Sequence, residues 1–136
     1  MIRTATRADM PEILRLGRDF HAACPYRDFP LDLDAFAEFA GRLIDHGVIF
    51  LSEDGMIGGL MSAMYFNPEV RTGAELFWWA PKGGQALRKA FELWAKDQGA
   101  VAVQFSGLAD DRAETVTKLF RRAGYQPAEM AFFKRF

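Results

Sequence analysis

Two places in the sequence carry residues that packing alone does not explain. In "ELFWWAPKGGQALRKAFELWAK" (75–96) an apolar run breaks on Pro81, Lys82, Gly83 and Gly84, and a helix-like pattern begins with no Ser, Thr, Asp or Asn at its entrance. The first turn of a helix leaves several N–H groups without intrahelical partners, and a side-chain oxygen commonly accepts one or two of them. Two glycines leave the backbone open to an acceptor from outside, and a phosphate there would also sit at the positive end of the helix dipole. Lys82 is mildly unfavourable at a helix N-terminus alone and favourable once a phosphate lies beside it. The alternative is that Gly83 is an ordinary glycine N-cap in a tight strand-to-helix turn. The stretch is neither a Walker loop nor a GxGxxG fingerprint. The second place is Glu75, a carboxylate followed by "LFWWA". Half-buried among aromatics, it would lose hydration, and its pKa would rise toward that of a general base. The alternative is a carboxylate facing solvent or paired with an arginine.

The rest of the chain limits what these residues can serve. Its 136 residues suit one domain, residues 1–136, and half of them are hydrophobic, enough for a packed core. A net charge of −1 gives no basic field for nucleic acid. The single cysteine, Cys24, allows no internal disulfide and fits a reducing cytoplasm. The N-terminal stretch is charged throughout, unlike a signal peptide, and "MIGGLMSAMYF" (56–66) is far shorter than the ~20 residues a membrane helix needs. No membrane or nucleic-acid partner is expected. His21 and His46 lack a third ligand at useful spacing, so no metal is expected either.

The elements that must position Glu75 and the glycines follow from periodicity. "MIRTAT" (1–6) alternates as a short strand. Asp9 and Pro11 mark a helix entrance, with Met10, Ile13, Leu14 and Phe20 on one face. "CPYRDFP" (24–30) reads as a loop, and Asp32 can cap a second helix with Phe36, Phe39, Ala40 and Leu43 inward. "VIFLS", the "EDG" turn and "MIGGLMSAMYF" form a hairpin, with Gly58 and Gly59 suggesting a bulge. "NPEVRTG" (67–73) reads as a loop and "AELFWWA" (74–80) as a central strand. Leu87, Ala90, Phe91, Trp94 and Ala95 mark the next helix. "AVAVQFS" (100–106) is a strand, Asp110 or Asp111 opens a last helix, and "EMAFFKRF" (129–136) is a final strand. The order β-α-α-β-β-β-α-β-α-β demands a mixed sheet with helices on both faces.

That order, and four segments within it, resemble the GNAT (GCN5-related N-acetyltransferase) superfamily over essentially the whole chain. "IRTATRADMPEILRL" resembles the family's opening strand and helix. "AELFWWA" is similar to the central fourth strand of histone-type members. "GGQALRKAFELWAKDQGA" resembles the acetyl-CoA-binding segment, and "TKLFRRAGYQPAEMAFFKRF" the family's ending. The resemblance implies an α+β fold with a mostly antiparallel mixed sheet of six to seven strands, in a compact bacterial or phage-like member. It implies an acetyl-CoA-dependent N-acetyltransferase acting on a primary amine of a small molecule or protein. The missing cap would then be supplied by the cofactor's pyrophosphate.

The resemblance also implies roles. The backbone of Trp78, Trp79 and Ala80 would bind the pantetheine, and Lys82, Gly83, Gly84, Gln85, Ala86 and Leu87 the pyrophosphate. Glu75 matches the histone-type Glu and would be the base. Phe120 stands where the family's acid tyrosine is expected, and Tyr125 in "AGYQP" is the nearby phenol that can replace it. Asp28, Asp32 and Glu129 would face a cationic acceptor; the alternative is that Asp32 and Asp34 are helix-cap acids and the rest a solvated face. Three departures, Pro81 in place of Arg or Gln, a short loop and Phe120, support the rival expectation of a non-catalytic GNAT-fold module that binds or regulates a protein. The aromatic ending "FFKRF" is a candidate homodimer contact.

Overall fold

The computed structural model describes all 136 residues. They divide into two compact units, Met1–Ser106 and Gly107–Phe136.

The first unit holds a five-stranded sheet in the order β1-β2-β3-β4-β5, formed by β1 (Arg3–Thr4), β2 (Val48–Leu51), β3 (Met56–Met64), β4 (Asn67–Trp79) and β5 (Ala102–Gln104). The first four strands pair antiparallel; β5 runs parallel to β4. A parallel neighbour requires a crossover, here α3 (Gly84–Asp97). The helices α1 (Met10–Ala23) and α2 (Leu33–His46) precede β2.

Alternation along the strands divides the core in two. Ile49, Leu51, Met56 and Phe77 pack with Ile13 and Leu16 of α1 and Ala40 and Leu43 of α2. Val48 and Ile57 pack with Leu87 and Phe91 of α3 on the other face. Helices therefore cover both faces, as the sequence pattern requires. Gly73 allows the close approach of α3: a Cβ there would lie 2.6 Å from the Cβ of Ala95.

Several strand boundaries differ from the sequence expectation: the strands expected at 1–6, 56–66 and 100–106 are shorter, at Arg3–Thr4, Met56–Met64 and Ala102–Gln104. Residues 67–73, expected as a loop, are the first half of β4. Pro68 sits in the second position of the strand, where a missing N–H is tolerated, and only Tyr65 and Phe66 turn the chain. The Asn67 side chain accepts from the Glu69 N–H at 3.1 Å, holding the start of the strand.

The second unit contains α4 (Ala113–Arg122), which follows a turn in which Asp110 Oδ1 accepts the Arg112 N–H at 2.9 Å. Gly124, at φ 89°, ends the helix, and the Tyr125 N–H returns to the Phe120 carbonyl at 3.0 Å. Residues 129–136 form no strand, which corrects the expected final strand and reduces the expected six to seven strands to five. Their apolar spacing suits a strand, but a strand exists only where its N–H and C=O groups are laddered, and these residues join no ladder. Met130, Phe132, Phe133 and Phe136 are exposed.

Candidate functional site

The site begins where two strands part. β4 pairs with β5 only from Thr72 opposite Ala102 to Ala74 opposite Gln104. β5 ends there, while β4 continues to Trp79, still paired with β3. From Glu75 onward the β5-facing edge of β4 has no ladder partner. The separation coincides with a bulge: Gly58 pairs with Phe77 and Gly59 with Glu75, so Leu76 is the extra residue, 45% exposed. A bulge bends and twists its strand, which turns β4 away from its neighbour.

Gly58 and Gly59 make this bulge possible. A Cβ on Gly59 would strike the Ala74 carbonyl oxygen and lie 2.6 Å from the Phe91 ring. The same geometry places Glu75, the cross-strand partner of Gly59, on the sheet face covered by α3. Glu75 is half-buried, and the Ser106 N–H donates to its Oε2 at 3.4 Å. Burial pushes its pKa from 4.5 up to about 7, against a smaller lowering from Ser106. No lysine or arginine pairs with it. A carboxylate in this condition can take a proton from a cationic acid and return it near neutral pH.

Trp78 and Trp79 point to opposite faces. Trp79 stacks on Phe20 of α1, with ring centroids 5.7 Å apart. Trp78 lies on the α3 side against Phe105, also at 5.7 Å. Six residues beyond Trp78, α3 starts. Its N-cap Gly83 is left-handed, at φ 67° and ψ 23°, and makes no side-chain cap bond. Glycine is thus required by the backbone here, whatever binds to it. The first turn of α3 contains no acid, whereas α1, α2 and α4 carry Glu12, Asp34 and Glu114 in theirs. No carboxylate therefore opposes an anion at this entrance.

The remaining expected cofactor residues separate into different roles. Lys82 is exposed beside the entrance. The Gly84 backbone lies against the Trp78 indole: a Cβ there would sit 3.2 Å from the ring. Gln85 turns its Oε1 to the Arg88 Nε at 2.8 Å, and the Ala86 N–H bonds the Gly83 carbonyl at 3.2 Å. Leu87 is fully buried in the α3-side core, so its side chain serves packing.

Asp32 caps α2, accepting the Ala35 N–H at 3.0 Å, and so has the structural role that its position also allowed. Asp28 is exposed in the α1–α2 connection, a loop held by the His21 ring nitrogen Nε2 and the Phe29 carbonyl at 2.7 Å. Tyr125 and Glu129 belong to the second unit. Tyr125 packs on Phe120 at 5.0 Å between ring centroids, and Glu129 is exposed. The structure thus brings Glu75, Trp78 and the α3 entrance together on one strand-turn-helix, with Asp28 and Asp32 on a separate connection. Sequence reasoning missed Ser106 and Phe105. Their only signal was the end of "AVAVQFS", whose register against Glu75 is not written locally.

No family model and no curated protein sequence matches this chain. Solved structures do. A GCN5-related N-acetyltransferase from Ralstonia eutropha JMP134 is similar with a TM-score of 0.68 at 17% identity, over 98% of this chain and 97% of that one. The aminoglycoside N-acetyltransferase AAC(6')-Iy, in complex with CoA, gives 0.67 at 15% identity, over 100% and 93%. A Trypanosoma brucei acetyltransferase gives 0.69 at 16% identity, over 100% and 99%. The chain has the GNAT fold, in agreement with the expectation from its sequence.

Proposed function

We propose that this chain is an acetyl-CoA-dependent N-acyltransferase acting on a primary amine in the cytoplasm. The observation that carries the reading is the continuous path from the unladdered edge of β4 at Glu75 to the uncapped entrance of α3. An extended pantetheine can pair with β4 at Trp78–Ala80, as a strand would. Its pyrophosphate then meets the N–H groups of the first turn beside Lys82. A fold neighbour, the aminoglycoside N-acetyltransferase in complex with CoA, supports acetyl-CoA as the donor.

In the reaction the acceptor amine attacks the thioester carbon. The C–N bond forms and the C–S bond breaks. The amine proton passes to Glu75, directly or through water, and the departing thiolate takes a proton from water. Glu75 is suited to this because desolvation raises its proton affinity without a counter-ion to cancel it. Asp28 is the acid we assign to the cationic acceptor.

The test is binding. A ligand that binds only the folded protein raises its melting temperature. Acetyl-CoA and desulfo-CoA should do so alike, because the phosphates make the contacts. Calorimetric titration that finds no binding at millimolar ligand would leave the fold serving as a protein-binding module.

A further inference from the structure

The opening between β4 and β5 has a closed floor. Phe105 is the first residue beyond the segment of β5 that pairs with β4. Val103, two residues earlier, lies on the α3 face beside Gly73, so alternation directs Phe105 to the same face. There its ring meets Trp78 edge-on at 5.7 Å and Phe91 edge-on at 5.6 Å. Phe91 is fully buried beneath. Trp78 comes from β4 and Phe105 from the β5 side, so the pair spans the gap just beyond the backbone's parting.

We infer that Phe105, seated on Phe91 and joined to Trp78, limits the acyl group transferred at this site to short chains such as acetyl. The inference rests on the acyl-CoA reading above. An acyl carbon within reach of an amine that Glu75 deprotonates must lie near the parting of the strands. Two of the ways onward from there are the open edge toward α3's entrance, which the pantetheine occupies, and the α3 face, which the three rings fill. A longer chain gains no burial there unless a ring moves. Forcing one to move costs the packing of a fully buried neighbour.

The experiment compares acetyl-CoA with hexanoyl-CoA by calorimetric titration of the full chain. The readout is the ratio of the two affinities, which cancels contacts common to both donors. In the wild type hexanoyl-CoA should bind no better than acetyl-CoA. In Phe105→Ala the ratio should shift toward hexanoyl-CoA by about tenfold or more, as four methylenes find an apolar pocket. Phe105→Leu, which keeps the core apolar, should shift it in the same direction by less and guards against an unfolded alanine variant. A wild type that already prefers hexanoyl-CoA by about tenfold would overturn the inference. So would an unchanged ratio in a Phe105 variant that melts cooperatively. If acetyl-CoA binds and only the ratio fails, the acyl-CoA reading stands and the floor does not select. If neither donor binds the wild type, the acyl-CoA reading itself fails.

Discussion

Glu75 and Ser106 meet where β4 and β5 separate: the Ser106 N–H donates to Glu75 Oε2 at 3.4 Å. At that length the bond is weak, so burial dominates and the carboxyl pKa rises to about 7. The consequence for stability has a definite sign. Below the unfolded value of 4.5 both states are protonated. Between 4.5 and about 7 the native state keeps a proton that the unfolded state has lost, so stability falls as pH rises; above about 7 the penalty is constant. Glu75→Gln removes this dependence. The variant should gain melting temperature over wild type as pH is raised from 5 to 8, and little at pH 5. Its transfer rate should drop about 10²-fold, and the rise in wild-type rate through pH 7 should disappear. Melting curves that stay parallel across this range would mean that Glu75 is charged and solvated.

The bulge that turns Glu75 depends on a glycine opposite it. Gly59→Ala would drive a Cβ into the Ala74 carbonyl oxygen and the Phe91 ring, neither of which can withdraw. The expected cost is roughly 2–4 kcal/mol by urea unfolding. Gly83→Ala meets no atom within 4 Å and pays only for its left-handed backbone, about 1 kcal/mol. Equal costs for the two would show that sterics at the bulge are relieved by a shift of β3.

What the sequence discloses and what it hides differ in range. Leu87, Phe91, Trp94 and Ala95 recur at helical spacing, so α3 was legible, and so was Glu75 on an apolar strand. Local signals also misled. The Asn67–Pro68 pair reads as a loop, although a proline near the start of a strand leaves its other bonds intact. Residues 129–136 have strand-like spacing but join no ladder. Asp32 offers one carboxylate to two roles, and only the Ala35 N–H at 3.0 Å shows which it takes. Phe105 and Ser106 were hidden because parallel register between β4 and β5 is set by the crossover through α3, not by any neighbouring residue.

The entrance of α3 separates an enzyme from a binding module through a single charge. Gly84 is the wrong place to probe it, since any side chain there is directed onto Trp78 and would disturb packing whether or not a ligand binds. Lys82 is exposed and unpaired by any carboxylate, so its replacement changes the field at the helix start and little else. In the free protein Lys82→Glu should be neutral or stabilising by a few tenths of a kcal/mol, because an acid now faces the positive end of a helix that has none in its first turn. If a pyrophosphate binds there, the same change replaces an attraction by a repulsion and should weaken acetyl-CoA by about tenfold or more, with the loss shrinking at high salt. Titrations of both proteins at two ionic strengths, paired with melting curves without ligand, measure the two effects separately. A variant that melts at or above wild type and yet loses acetyl-CoA places the phosphates at this entrance. A variant that binds acetyl-CoA as wild type does would move the cofactor away from α3 and take the proposed mechanism with it.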